Sequence, residues 1–149
     1  QIRNQIRQFT TVAGNILRNP IDYSQTMMET RKLIKTVSLI TQWQEIDFLI
    51  EFLKPSETPP SIRSRISRVI DGMLAGARAA AKPVAIVLEP SIVPQEAKEL
   101  FPFIQKFVSA RLPVYYSFAD AARAISLVLN YNEHRWGKLG NSSVSLVTG

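Results

Sequence analysis

Lys82-Pro83-Val84-Ala85-Ile86-Val87-Leu88-Glu89-Pro90-Ser91 is the stretch whose reading decides the fold. Val84 to Leu88 is an uninterrupted apolar run, rich in β-branched residues and too short for a helix. Entered through Pro83 and broken at Pro90, it reads as a strand buried on both faces, and such a strand needs a helix on each side. Helical periodicity on its N-terminal side ends near Ala81, and a second helical stretch begins near Pro94. The polar break at Glu89, Pro90 and Ser91 falls at the strand's carboxyl end, where open parallel sheets place ligand sites.

Working outward, apolar residues at Ile2, Ile6 and Phe9 predict a short first helix, ended by Gly14. Residues 15–23 read as an irregular connection, with Pro20 keeping Asn19 out of the helical region and with Asn19 and Asp22 bonding nearby backbone. A helix is predicted over 24–43, in which Met27 and Met28 fill gaps in the core. Residues 47–53 form a second apolar strand containing an unexpected Glu51, and an edge position that lets Glu51 reach solvent is the commoner explanation.

The proline- and hydroxyl-rich segment 54–60 is a loop, followed by a helix over 61–80 in which Gly72 and Gly76 either allow close packing against the sheet or merely weaken the helix by up to about 1 kcal/mol each. Pro102 kinks or divides the helical stretch 94–110. A third short strand over 112–116 precedes Ser117, which with Asp120 resembles a capping box. The last helix runs to about residue 132 and buries Ala121, Ala122, Ile125, Val128 and Leu129, and periodicity is lost from His134 onward. Strands alternating with helices imply an α/β fold with a parallel sheet and helices on both faces. Residues 1–135 make the domain and 136–149 a tail or linker, within which residues 144–147 can pair as a strand.

Composition narrows the function. The 149 residues include no cysteine and one histidine, which removes disulfides, thiolate metal sites and common nucleophile constellations. No metal ligand set is assigned, and sequence spacing identifies no catalytic residue. A charge of +6 is spread along the chain without interleaved aromatics, so nucleic acid is not an expected partner. No apolar run approaches a membrane span, and a soluble, cytoplasmic protein is expected. A first residue that is not Met suggests a piece of something longer. Ligand-binding candidates are the strand exits, where hydroxyls ahead of helix amino ends receive phosphate or carboxylate, although Ser61 and Ser117 also suit ordinary capping.

Arg18-Asn19-Pro20-Ile21-Asp22, the strand over 47–53, Lys82-Pro83-Val84-Ala85-Ile86-Val87, Leu112-Pro113-Val114-Tyr115 and Ala119-Asp120-Ala121-Ala122-Arg123-Ala124 occur in an order that resembles the second flavodoxin-like ligase domain of the NDP-forming acyl-CoA synthetases. The resemblance, which extends to the succinyl-CoA synthetase β subunit, covers roughly residues 9–135. It implies a flavodoxin-like domain truncated at its N-terminal end, because the family's domain opens with a strand, a Gly-rich turn and a helix that do not precede these motifs here. It implies a part in the reaction acyl-CoA + NDP + phosphate = acid + CoA + NTP, run through a phosphohistidine. Pro55, Ser56, Thr58 and Ser61 are the carried-over phosphate or acyl-binding positions, with Asn19, Asp22, Glu89 and Ser91 secondary.

The succinyl-type enzymes have a Gly-Gly turn where this chain has Lys54-Pro55-Ser56, and their active-site histidine belongs to the preceding domain, so His134 does not match it. CoA, nucleotide and Mg are implied for the whole enzyme and no cofactor for this portion. The implied partners are CoA-binding and nucleotide-grasp domains or subunits, and an oligomer is compatible with the family. The alternative is a non-catalytic binding or assembly module. A receiver or flavin-binding reading is weaker, since Glu51 and Glu89 do not form an acidic cluster at the strand ends.

Overall fold

A computed structural model describes residues 2–10, 16–22, 28–57 and 63–142. The chain forms α1 (Ile2–Arg7), β1 (Ile16–Leu17), β2 (Ile21–Asp22), α2 (Thr30–Thr41) and β3 (Leu49–Leu53), followed by a 3-10 turn (Pro55–Glu57). It continues through α3 (Ile66–Ala79), β4 (Val84–Leu88), α4 (Pro94–Lys98), α5 (Phe101–Ser109), β5 (Val114–Tyr115) and α6 (Phe118–Ser142). The main sheet has the order β3-β4-β5, and both pairings are parallel, with Glu51 opposite Ile86 and Val87 opposite Tyr115. The fold class is therefore α/β, as the alternation of elements implies.

All five residues of β4 are buried. Side-chain parity assigns the two layers that cover it. Val84, Ile86 and Leu88 join Leu53 in a core with Val69, Ile70, Met73 and Leu74 of α3, Leu100, and Phe107 of α5. The alternate residues face α6, shown by the rings of Phe52 and Phe118 at 4.8 Å.

Pro102 does not bend one helix but lies in the first turn of a second, where its missing N–H costs nothing. Ser117 caps α6: its hydroxyl accepts from the Asp120 backbone N–H at 3.1 Å and donates to the Asp120 carboxylate at 2.7 Å. Thr41, fully buried, donates to the Val37 carbonyl at 2.8 Å and accepts from the Ala81 N–H at 3.0 Å, fastening the end of α2 to the turn before β4.

Several expectations are corrected. The connection expected to be irregular contains an antiparallel pair, β1 with β2, around a cis Asn19–Pro20 peptide. The described helix α3 runs Ile66–Ala79, with Arg65 at the N-cap and no side-chain cap bond, and the start expected at 61 lies outside the described residues. Capping by Ser61 lies outside the described residues, as do Gly14 and Met27.

The last helix continues through Ser142, across half of the stretch read as a tail. Loss of apolar periodicity removes a reason for burial, but 118–142 contains no proline to end the helix. Nor does α6 bury the face assigned to it. Ala121 is fully buried, whereas Ala122 is exposed and Val128 and Leu129 are 59% and 50% exposed, because no described element lies against them.

Gly72 and Gly76 serve chiefly helix-to-helix packing. A Cβ on Gly72 would lie 3.2 Å from Leu33 Cδ2, and one on Gly76 would lie 3.2 Å from Val37 Cγ2 and 3.4 Å from Glu51 Oε1. Both glycines thus let α2 approach α3, and Gly76 also makes room for Glu51. The two substitutions should separate. Gly72→Ala meets only the tip of a flexible leucine and gains helix propensity, so it should be neutral or stabilising by up to about 1 kcal/mol. Gly76→Ala meets a buried β-branched side chain and a carboxylate, so overpacking should leave it destabilised by about 1–3 kcal/mol. Urea denaturation of the two variants checks both signs.

Candidate functional site

At the carboxyl ends of β3 and β4 the chain leaves the sheet through Lys54 and Glu89, the residues next after the paired Leu53 and Leu88. The Glu89 N–H donates to the Leu53 carbonyl at 3.1 Å, extending the ladder by one bond. That register sets the two side chains side by side, and Lys54 Nζ lies 2.9 Å from Glu89 Oε1. Both groups are partly solvated, so the pair is worth no more than about 1 kcal/mol.

Beyond this pair the 3-10 turn and the Ser91 turn border a small cleft of about 70 Å³, room for a few water molecules. Its lining includes Pro55, Ser56, Arg63, Ile66, Ser91 and Glu96. Arg63 spans it, donating to the Ser56 carbonyl at 2.8 Å while standing 3.8 Å from Glu96 Oε1. The Ser91 hydroxyl accepts from the Val93 N–H at 3.1 Å, shaping the entry to α4. The first residue of α3, Ile66, is also in the lining, so the positive end of that 14-residue helix dipole borders the cleft.

The structure therefore brings together Pro55, Ser56 and Ser91, with Glu89 beside them through Lys54. Thr58 and Ser61 lie outside the described residues. Asn19 and Asp22 belong to the β1–β2 hairpin and are not in the cleft lining. Sequence reading missed Arg63 and Glu96. The signal was present, since Arg63 follows the strand exit and Glu96 follows the Pro94 helix start, but only the fold shows that the two loops converge.

Cations do not dominate here: Lys54 and Arg63 stand among Glu89, Glu96 and Glu99. An anion entering the cleft has to take Arg63 from Glu96. Among the described residues no group of three or more acidic or histidine side chains is placed to hold a metal ion. Among the described residues, too, no helix is long and apolar enough to cross a membrane. No known protein family, curated protein or solved structure matches the chain.

A second chemically unusual group lies on the other side of β3. The strand is at the sheet edge, as expected from Glu51, but the glutamate does not reach solvent. Its parity with Leu49 and Leu53 turns it under the seam between α2 and α3, and among the described residues neither buried oxygen has a hydrogen-bond partner. Burial pushes its pKa from 4.5 up to about 8.

Between these two values the folded chain holds a proton that the unfolded chain has released, so stability falls as pH rises from about 5 to about 8. The loss from this group is on the order of 4 kcal/mol. Urea unfolding at pH 5, 6, 7 and 8 should show this slope in the native chain and a flatter one in Glu51→Gln. Equal slopes would exclude a buried titrating Glu51.

Proposed function

We propose that the chain is part of the second ligase domain of an NDP-forming acyl-CoA synthetase, flavodoxin-like and without that domain's opening strand and helix. The order of motifs suggests this reading. The observation that carries it is the convergence of Ser56, Arg63, Ser91 and the amino end of α3 on one cleft at the β3 and β4 exits. Hydroxyls, a guanidinium and a helix amino end are groups that receive phosphoryl or carboxylate oxygens.

In this reading Arg63 exchanges Glu96 for the oxygens of an acyl phosphate. The Ser56 and Ser91 hydroxyls orient the anion, and the α3 dipole favours its charge. Pro55 fixes the turn that presents Ser56, and Lys54 stays paired with Glu89 at the rim. The chain supplies no catalytic residue of its own. In the complete synthetase the histidine that carries phosphate comes from the preceding ligase domain, and CoA, nucleotide and Mg are held by the CoA-binding and nucleotide-grasp partners. Such an enzyme works in the cytoplasm.

A second reading, a non-catalytic assembly module, is favoured by a different observation. Phe48 and Phe52 of the β3 segment and Leu127, Val128, Leu129 and Tyr131 of α6 are all substantially exposed, more apolar surface than a solitary domain needs.

Titration of the isotopically labelled chain with acetyl phosphate separates the two. The ligase reading predicts saturable amide shifts at Ser56, Ile66 and Ser91 that weaken about tenfold or more in Arg63→Gln. Absence of shifts at these residues, or shifts insensitive to Arg63, would remove the phosphate site and leave the assembly module.

A further inference from the structure

Helix α6 carries an apolar stripe that packs on no described element. Leu127, Val128 and Tyr131 are 63%, 59% and 64% exposed. At 3.6 residues per turn they share a face with Ala124. That face lies half a turn round the helix from the side where Ile125, Leu129 and Glu133 border a groove with Phe48 and Ile50. A strand and helix added at the open edge of β3 would fill that groove and leave this face bare.

The stripe sits where the sheet runs out. Phe118 stands beside Phe52 near the carboxyl end of β3, and the nine residues from Phe118 to Leu127 advance about 13 Å toward the strand's start. The stretch from Phe52 back to Phe48 spans about the same length. Leu127 and Val128 are therefore level with the amino edge of the sheet, and α6 continues past that edge to Ser142.

We infer that this face is a self-association surface, on which α6 of a second copy of the chain packs antiparallel about a twofold axis between Leu127 and Val128. In that arrangement Leu127 faces Val128 of the second copy, and Ala124 faces Tyr131, a small side chain opposite a large one. Asp120 and Arg135 come next on the same face, four residues outside Ala124 and Tyr131 respectively. Each Asp120 then faces an Arg135, and unlike charges close the pair at both ends.

Other arrangements of the same two helices lose this match. Sliding one helix by a turn in either sense sets Asp120 against Tyr131 or Ala124 against His134. Parallel pairing sets Asp120 on Asp120 and Arg135 on Arg135. The positions Asp120, Ala124, Leu127 and Tyr131 are spaced alternately four and three, the repeat of helices that cross at about 20°. The axis also keeps the two bodies apart, because each sheet lies beside the half of its own α6 that precedes Leu127, and the two sheets fall at opposite ends of the helix pair.

A contact running from Asp120 to Arg135 is a small interface, below roughly 1,200 Å² in total, so the dimer is weak, with a dissociation constant on the order of 10–100 μM. It does not depend on the ligase reading, since none of its residues lines the phosphate cleft.

Sedimentation velocity of the full chain from about 1 μM to about 1 mM should show monomer giving way to dimer as concentration rises. Leu127 is exposed in the single chain, so Leu127→Lys should leave the fold intact and weaken the dimer about tenfold or more. A monomer throughout, or a dimer as tight in Leu127→Lys as in the native chain, overturns the surface. The native chain has no cysteine, so introduced thiols report the register. An equal mixture of Ala124→Cys and Tyr131→Cys, mildly oxidised, should give the mixed disulfide as main product, because the two copies of either residue stand about 10 Å apart along the pair, beyond disulfide reach. Disulfides formed by either variant with itself in preference to the mixed product overturn the antiparallel register.

Discussion

The structure depends on the burial of β4 from both sides. Val84 to Leu88 contribute five consecutive buried side chains, and each larger one removed from water is worth roughly 1.5–3 kcal/mol before entropy is counted. No comparable anchor exists elsewhere in the sheet, since β5 pairs over only two residues and β3 leaves Phe52 44% exposed. Helices α3 and α5 are held against one face through Ile86 and Leu88, and α6 is held against the other through Ala121 and Phe118. The loops at the carboxyl end are then fixed by register: Leu53 opposite Leu88 sets Lys54 beside Glu89 and brings Ser56 and Ser91 to one cleft.

The two sides of β3 carry opposite kinds of imbalance. At its exit charge is abundant but internally matched, with Lys54 on Glu89 and Arg63 shared between Ser56 and Glu96. Along its open edge charge is scarce, with the Glu51 oxygens buried and, among the described residues, without hydrogen-bond partners. A matched cluster of exposed ions contributes little to stability and can exchange partners, which suits a ligand site. An unmatched buried carboxyl is kept neutral by its surroundings and lowers stability when it ionises, which suits a surface that is covered in an assembly.

Much of this was legible in the sequence wherever a local rule and the tertiary context agreed. The apolar run of β4, the division of α4 from α5 at Pro102 and the Ser117 cap each follow from the chemistry of a few adjacent residues. Glu51 was legible by halves. One acid in an apolar strand marks an edge, but only the seam made by Gly76 and Val37 shows that it turns inward. The exposed side of α6 was not legible, because periodicity tells which residues share a face and not whether anything lies against it. Arg63 and Glu96 were hidden for a similar reason: 33 positions separate them in the chain, and only the parallel crossover of β3 and β4 joins their loops.

The central claim is a parallel sheet centred on β4 with β3 as an open edge. Residue-by-residue amide hydrogen exchange of the chain tests it most directly. The account predicts strong protection at Ala85, Ile86, Val87 and Leu88 and at Leu49 and Glu51, with Ile50 and Phe52 exchanging about a hundredfold or more faster than their neighbours. Uniform protection along Leu49–Leu53 would contradict it, because every amide of β3 would then have a partner.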